Sequence, residues 1–306
     1  MRTNGKLFDL QVNGYLGVDF SSPELTEETC TQAVGGYLKD GATMFLPTVI
    51  TSAEEIYQRN LGILSKVCRQ PEFRDGVPGF HLEGPFLSDK PGAVGAHNPL
   101  WTKVPDLGTF EKLQEAADGM IRMITIAAEV EGAAEFCKAV SEQGVCVSLG
   151  HQLAGYDDLT RLADAGAKAI THLGNGMPNQ VNRHDNSLIN GLIHPDLVPM
   201  IITDGHHLPA RLVEGIIRLR GVDNVVFVSD ASPVAGLPPG KYNTLGNPCV
   251  LEENGKLHNP EKQCLVGSSF TMQRCADFLS NTLLIEGEQI ERMGFQNAFN
   301  LIGGRQ

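Results

Sequence analysis

Short apolar runs alternate along the chain with longer segments that have the period of an α-helix. Gly, Asp or Asn punctuates each pair, and this alternation is typical of βα units in a parallel sheet. Eight apolar runs are predicted to be strands, at residues 6–12, 42–50, 77–83, 121–129, 145–151, 167–173, 197–204 and 224–230. Helical patterns follow most of them, and the connection from Asn175 to about Pro195 is the least helical.

Eight βα units favour an α/β fold of the (β/α)8 TIM-barrel type over a doubly wound sheet, because no Gly-x-Gly-x-x-Gly turn follows the first strand. Turn signals at Gly246-Asn247 and Asn254-Gly255 predict a β-hairpin insertion after strand eight. No linker, repeat or low-complexity tract interrupts the chain. Residues 1–306 are therefore predicted to form a single domain.

Composition and net charge limit the kinds of molecule that this protein is expected to bind. The 306 residues are 42% hydrophobic and 20% charged, as in an ordinary soluble globular protein, and the formal net charge of −12 repels nucleic-acid phosphates and anionic lipids. We therefore expect neither nucleic acid nor a membrane as a partner. The chain lacks an apolar run of the roughly 18 residues that span a bilayer, and its start lacks the apolar centre of a signal peptide, which predicts a cytoplasmic protein. The seven cysteines form no Cys-x-x-Cys pair and are interpreted as reduced thiols.

Polar side chains gather where five of the predicted strands end. They are His81 and Glu83 after strand three, His151 after strand five, His172 after strand six, Asp204 and His207 after strand seven, and Asp230 after strand eight. The carboxyl ends of barrel strands form one rim, so these groups are expected to converge. Two imidazoles with one or two carboxylates match the ligands of zinc or ferrous iron. The alternative, satisfied core polar residues, is less favoured because burying so many ionisable groups without a cation is costly.

Several sequence motifs carry a family resemblance. The strings DLQVNG, GFHLEGPF followed by GAHNP, THLGNGMP, TDGHH, VSDA and LVGSSFTM occur in the order of the signature blocks of the N-acetylglucosamine-6-phosphate deacetylase family, within the amidohydrolase superfamily. The resemblance extends from about Leu7 to Gly304. It implies a metal-dependent hydrolase of amino-sugar catabolism that converts N-acetylglucosamine 6-phosphate to glucosamine 6-phosphate and acetate.

The resemblance also implies roles at the metal site. Glu83, His151 and His172 would hold one divalent metal ion, which we expect to be zinc, with iron as the alternative. Asp230 corresponds to the general acid/base, and His207 to the histidine that helps to polarise the substrate carbonyl. These roles agree with the chemistry of the residues, because a carboxylate on a separate strand can take a proton from water and return it to the leaving nitrogen.

Ten residues are predicted to bind the substrate, mostly by the same resemblance: Ala96, His97, Asn175, Gly176, Arg183, Asp204, His207, Leu265, Val266 and Gly267. Arg183 has the spacing of the family's phosphate-binding arginine, and its planar set of donors suits a phosphate. A solvated loop arginine is the alternative for this residue. The segment HDNSLIN after Arg183 stands where the family commonly has Glu-Pro-Gly, which leaves the identity of the sugar open.

Two departures from the family pattern bear on the site and on assembly. Many amidohydrolases end strand one with His-x-His and bind two metals, whereas Gln11 stands in this position and predicts a single metal ion. The family usually also carries a small β-sandwich. This sequence predicts a barrel without a separate β-sandwich domain, and we expect the surface that the sandwich would cover to be polar or to pair with a second subunit in a homodimer.

Three other functions are alternatives for this set of residues. An amidase of the same superfamily that acts on a related acylamino sugar or a cyclic amide would share the metal site, and a cyclic amide would have no use for a phosphate-binding arginine. A non-catalytic paralogue that binds sugar phosphates would not need Asp230. A Schiff-base aldolase is disfavoured because no predicted strand ends in Lys.

Overall fold

The computed structural model describes residues 5–262 and 264–304, and this part of the chain contains fourteen strands and ten α-helices. The strands are β1 (Phe8–Val12), β2 (Gly14–Tyr15), β3 (Val18–Asp19), β4 (Met44–Ile50), β5 (Phe80–Glu83), β6 (Ile121–Ile126), β7 (Cys146–Leu149), β8 (Ala169–Ile170), β9 (Val198–Ile202), β10 (Val226–Val228), β11 (Gly240–Thr244), β12 (Asn247–Leu251), β13 (Leu257–Asn259) and β14 (Cys264–Leu265). The helices are α1 (Glu27–Asp40), α2 (Glu54–Cys68), α3 (Leu107–Ala116), α4 (Ala133–Glu142), α5 (Tyr156–Asp164), α6 (Ser187–Ile193), α7 (Ala210–Arg220), α8 (Met272–Thr282), α9 (Gly287–Glu291) and α10 (Asn297–Leu301).

The eight predicted strands form one parallel sheet in the order β1-β4-β5-β6-β7-β8-β9-β10. A parallel bridge between Val12 and Ala231 joins its two edges, and the Asn13 backbone N–H donates to the Ala231 carbonyl at 2.8 Å. The predicted (β/α)8 barrel is confirmed. The strands are shorter than their apolar runs, most clearly at β8, because the backbone leaves the strand before His172, where φ is 29°.

Apolar side chains pack on both faces of the sheet, as expected for a parallel sheet covered by helices. One cluster includes Phe8 and Leu10 of β1 and Met123 of β6, and its partly buried neighbours include Phe295 and Phe299 near the carboxyl terminus of the chain. A larger cluster combines the opposite faces of the strands with the buried sides of the surrounding helices. The resulting frame is rigid and presents the carboxyl ends of the strands at one rim.

A buried hydrogen-bond network ties the first and last strands of the barrel together. Asp9 of β1 accepts hydrogen bonds from the Tyr37 hydroxyl at 2.5 Å and from the Ser229 hydroxyl at 2.5 Å. The Ser229 backbone N–H also donates to Asp9, and the Met272 backbone N–H donates to the Tyr37 hydroxyl. Burial raises the pKa of Asp9 to about 6, although the hydrogen bonds oppose this rise. The network thus joins β1 to α1, to the end of β10 and to the start of α8.

The predicted insertion after strand eight is present and is larger than a single hairpin. Strands β11 to β14 form a four-stranded antiparallel sheet. Leu245 and Gly246 connect β11 to β12 with φ values of 50° and 71°, so the turn lies one residue before the predicted Gly246-Asn247 pair. Gly255, with φ of 92°, lies in the turn between β12 and β13.

Helices α6, α9 and α10 were not predicted from the sequence. The connection that looked least helical contains α6, whose first turn is capped by the Asn186 side chain, which accepts from the Ile189 backbone N–H at 3.0 Å. Near the carboxyl terminus, α9 and α10 are joined by a π-helical segment, Arg292–Gln296. None of the described helices combines the length and apolar character needed to cross a membrane.

We expect the Tyr37→Phe substitution to lower the free energy of unfolding by about 1–3 kcal/mol, because it removes a donor to buried Asp9 and the acceptor of the Met272 N–H. Urea denaturation measures the change. Tyr242→Phe is the matched control, since the Tyr242 hydroxyl donates to the Pro238 carbonyl at an exposed position. A loss of stability equal to that of the control would contradict a structural role for the network.

Candidate metal and substrate site

Glu83, His151 and His172 meet at the rim although they belong to three different strand ends. Glu83 is the last residue of β5, and His151 and His172 lie two residues beyond β7 and β8. Glu83 Oε1 lies 2.8 Å from His172 Nε2 and 3.3 Å from His151 Nε2, and the two Nε2 atoms are 3.0 Å apart. All three side chains are buried. The structure therefore brings together the three predicted ligands.

The tautomer of His151 follows from its surroundings. Its Nδ1 lies 2.8 Å from the Ala93 carbonyl, an acceptor, so Nδ1 carries the proton and the Nε2 lone pair faces Glu83 and His172. Glycine backbones pack closely against the ring. A Cβ added at Gly95 or at Gly176 would lie 2.9 Å or 2.8 Å from the imidazole, and both residues have positive φ.

Unusual backbone conformations orient the side chains of three site residues. His151, His172 and Asp230 have φ values of 51°, 29° and 51°, in or near the left-handed region that residues other than Gly rarely adopt. Each lies within two residues of the end of its strand. Such conformations cost on the order of 1–3 kcal/mol each and cluster at functional sites. The sharp bends direct these side chains to the barrel mouth.

The carboxylate of Glu83 is stabilised in its charged form. Burial opposes ionisation, but the attraction of the adjacent His151 and His172 imidazoles outweighs burial and holds the pKa of Glu83 well below its usual range. The Gln11 side-chain amide also donates to Glu83 Oε1 at 2.8 Å. Gln11 thus orients a ligand, whereas the sequence indicated only that it is a poor ligand itself. His81 has both ring nitrogens bonded elsewhere, to the Leu10 carbonyl and the Thr125 hydroxyl, as a supporting residue would.

The imidazole of His97 also adjoins the predicted ligands. His97 Nε2 is 3.2 Å from His151 Nε2 and 3.6 Å from Glu83 Oε2, and the donor atoms of His97, His151 and Glu83 all lie within 4.8 Å of one another. Burial, together with the neighbouring His151, lowers the pKa of His97 to about 3. The imidazole of His97 is therefore neutral at the edge of the cluster.

Asp230 stands apart from this cluster and has the properties of a proton carrier. Burial and, to a lesser degree, the negative charge of Glu83 raise the pKa of Asp230 to about 7. The Asn13 side-chain amide donates to Asp230 Oδ1 at 2.7 Å and fixes the carboxyl. A carboxyl with a pKa near neutrality can both accept and return a proton.

His207 is held by Asp204. The two side chains are 2.7 Å apart, between His207 Nδ1 and Asp204 Oδ2, and Ser268 donates to the same oxygen. Asp204 Oδ1 accepts the backbone N–H groups of His206 and His207. Burial would raise the pKa of Asp204, but the attraction of His207 and these hydrogen bonds lower it well below its usual range. Because Nδ1 faces Asp204, Nε2 is the His207 nitrogen that remains to meet a substrate.

A cavity of about 520 Å³ contains the cluster and Asp230. Seven of the ten predicted substrate residues line it: Ala96, His97, Asn175, Gly176, His207, Leu265 and Gly267. Three are placed elsewhere. Asp204 lies behind His207, and Val266 packs in the apolar cluster under the β11–β14 sheet. Arg183 is exposed, and its Nε–H donates to His184 Nε2 at 2.9 Å.

Asn13 is a residue of the site that was not predicted from the sequence. A signal was available, because alternate residues of a strand point to the same side, and Asn13 follows Asp9 and Gln11 at this spacing. Gln11 and Asn13 both direct an amide at a carboxylate of the site.

The donor set fits a divalent metal ion. Ligand atoms that share one ion with bonds of about 2.0–2.2 Å in tetrahedral geometry lie roughly 3.3–3.6 Å apart. The separations within the Glu83, His151 and His172 set are 2.8–3.3 Å, close to that spacing. The Nε2 atoms of His151 and His172, which are 3.0 Å apart, also require a proton or a cation between them. In addition, Gln11 Oε1, Asn13 Oδ1 and His172 Nδ1 are buried without a hydrogen-bond partner in the described part of the chain.

Known proteins place the chain in a family. N-acetylglucosamine-6-phosphate deacetylase of Danio rerio is 33% identical over 278 residues, which are 87% of this chain and 67% of that protein. The chain belongs to the N-acetylglucosamine-6-phosphate deacetylase family. It spans about two thirds of the length of the curated relatives that it matches. No protein-family model matches the chain, so its family membership rests on the similarity to these relatives.

Two further relatives of this deacetylase family bear on fold and on substrate. The crystal structure of N-acetyl-D-glucosamine-6-phosphate deacetylase from Mycobacterium smegmatis superposes with a TM-score of 0.88 at 26% identity, and covers 98% of this chain and 78% of that one. N-acetylgalactosamine-6-phosphate deacetylase of Escherichia coli is 27% identical over 86% of this chain and 68% of that protein.

We expect the Glu83→Gln substitution to lower metal affinity, because it removes the anionic ligand. The loss should exceed the roughly 10- to 100-fold decrease that is typical when a residue hydrogen-bonded to a metal ligand is replaced. Metal content after dialysis against a chelator measures this. Glu129→Gln is the control, since Glu129 is a partly buried carboxylate that accepts the Leu153 N–H outside the cluster. Equal metal content in both variants would remove Glu83 from the ligand set.

Proposed function

We propose that this protein is a metal-dependent amide hydrolase that removes the acetyl group of N-acetylglucosamine 6-phosphate. One observation carries the proposal: a buried carboxyl with a pKa of about 7, Asp230, shares one cavity with the Glu83, His151 and His172 donor set. A binding protein would have no use for a proton carrier at this point. Membership of the deacetylase family supports the choice of substrate.

Glu83, His151 and His172 would hold the metal ion. When bound, a divalent ion supplies Lewis-acid polarisation of the acetyl carbonyl and makes water more acidic. Zinc is the metal that we propose, with ferrous iron as the alternative, because both accept imidazole and carboxylate ligands. A single ion is proposed because Gln11 donates its amide to Glu83 and offers no imidazole.

Asp230 performs the proton transfers. Its carboxylate takes a proton from the attacking water while the water oxygen bonds to the acetyl carbon. The carboxyl then gives this proton to the sugar nitrogen as the carbon–nitrogen bond breaks, so that acetate and an amine leave. Asn13 holds the carboxyl in place during both transfers through its hydrogen bond to Oδ1.

His207 would polarise the substrate carbonyl. Asp204 binds its Nδ1 and so directs Nε2 toward the cavity. A donor held in place before the reaction stabilises the negative charge that develops on the carbonyl oxygen without reorganising during it. Asp204 would act through His207 and would not touch the substrate.

The sugar would lie against the cavity walls formed by Ala96, His97, Asn175, Gly176, Leu265 and Gly267. Arg183 stays a predicted phosphate ligand, and it would have to leave its contact with His184 to reach the cavity. N-acetylgalactosamine 6-phosphate, the substrate named for the Escherichia coli relative, is the second candidate. The homodimer and the cytoplasmic location remain predictions from the sequence.

Acetate release from N-acetylglucosamine 6-phosphate tests the function. We expect the metal-stripped protein to be inactive and to recover after addition of zinc or ferrous iron. N-acetylgalactosamine 6-phosphate and a cyclic amide serve as competing substrates under the same conditions. Turnover of the cyclic amide alone, or no turnover of any of the three after reconstitution, would reject the proposal.

The Asp230→Asn substitution should lower kcat by roughly 10²- to 10⁴-fold, the usual contribution of a general acid/base, while metal content stays at the wild-type level. Asparagine keeps the shape of the side chain but cannot accept and return the proton. Parallel measurement of kcat and bound metal separates a chemical defect from a folding defect. A kcat close to that of the wild type would remove Asp230 from the mechanism.

A further inference from the structure

A phosphorylated substrate needs a positive charge in the cavity. The chain has a net charge of −12, and the cavity lining already includes the carboxyl groups of Glu83 and Asp230. Among the described residues that line this cavity, Lys262 is the only lysine or arginine. Arg183 and Lys262 are both exposed residues, but Arg183 does not line this cavity.

Lys262 is held in place by the turn between β13 and β14. The Asn259 side-chain oxygen accepts the backbone N–H groups of Glu261 and Lys262, both at 3.0 Å. The Lys262 ammonium donates to Asn247 Oδ1 at 2.6 Å, and the Asn247 amide in turn donates to the Leu245 carbonyl at 2.8 Å. The side chain is therefore fixed at both its backbone and its ammonium.

The charge of Lys262 is also uncompensated. Within residues 5–262 and 264–304, no carboxylate lies within 4.0 Å of its ammonium. Nine other lysines and arginines in this part of the chain form such pairs with Asp or Glu: Lys66, Arg69, Arg74, Lys90, Lys103, Lys112, Arg161, Arg218 and Arg292. An ammonium carries three donors, and the bond to Asn247 uses one. Two donors remain for an anion.

The position of Lys262 also fits a ligand for the far end of a substrate. A second cavity of about 910 Å³ adjoins the first, and the two share Ile50, Ala96, His97, Leu245 and Lys262 as lining residues. Lys262 thus stands where the cavity that contains the metal ligands meets the larger one. A sugar whose amide faces Glu83 would extend its remaining groups toward the cavity walls.

We propose that Lys262 binds the phosphate group of the amino-sugar phosphate, in addition to or in place of Arg183. The proposal rests on the proposed function for its substrate. It assigns specificity for a phosphorylated sugar to the β11–β14 insertion. Asn247 acts as a positioning residue that holds the ammonium toward the cavity.

The test compares Lys262→Met with Lys262→Arg and with a matched control, Lys256→Met, which removes a lysine of the same inserted sheet that does not line either cavity. We expect Lys262→Met to raise KM for N-acetylglucosamine 6-phosphate about ten- to hundredfold, the usual effect of losing a charged hydrogen bond, with kcat little changed. For N-acetylglucosamine without phosphate, kcat/KM should not change. Lys262→Arg should restore most of the loss, and Lys256→Met should behave as the wild type.

Two results would overturn the assignment of Lys262. They are an unchanged KM for the sugar phosphate in Lys262→Met, and an equal loss of kcat/KM for the phosphorylated and unphosphorylated sugars, which would indicate damage to the cavity. If the wild type releases no acetate, the proposed function fails separately. Calorimetric binding of N-acetylglucosamine 6-phosphate then tests Lys262 by itself, with weaker binding by Lys262→Met supporting the assignment and equal binding rejecting it.

Discussion

The buried carboxylate of Glu83 is the constraint on which the site depends. An ionised carboxylate in a protein interior is unfavourable unless cations or donors surround it. Here the imidazoles of His151 and His172 and the amide of Gln11 all converge on one oxygen. Burial raises the pKa of Asp230, and the negative charge of Glu83 adds to this rise because the two negative charges repel each other. One buried charge therefore defines both the ligand set and the proton carrier.

Strand β1 connects this electrostatic arrangement to the stability of the barrel. Its alternate polar residues each reach a different part of the rim: Asp9 binds Tyr37 and Ser229, Gln11 binds Glu83, and Asn13, one residue past the strand, binds Asp230. Because Ser229 precedes Asp230 directly, the network that closes the barrel also fixes the position of the proton carrier. Strand β1 therefore contributes both to the closure of the barrel and to the positions of the proposed catalytic groups.

The sequence was sufficient to predict what depends on periodicity and on strand ends. All eight strands and the ends that carry Glu83, His151 and His172 could be read from apolar runs followed by polar residues. The contacts that could not be predicted are those between residues far apart in the sequence. Tyr37 binding Asp9, and Asp204 turning away from the cavity toward His207, follow from packing that no local pattern encodes. Helix α6 was missed because its seven residues are too few to show a period.

The β11–β14 sheet has a consequence for how this enzyme family can diversify. The proposed metal ligands and the proposed proton carrier belong to the barrel, whereas Lys262, Leu265 and Gly267 line the same cavity from the insertion and the residues that follow it. Replacing residues of the insertion would therefore alter which sugar is accepted while leaving the reactive groups in place. Descendants of one barrel could acquire new preferences by exchanging a single surface module, without passing through forms that have lost their chemistry.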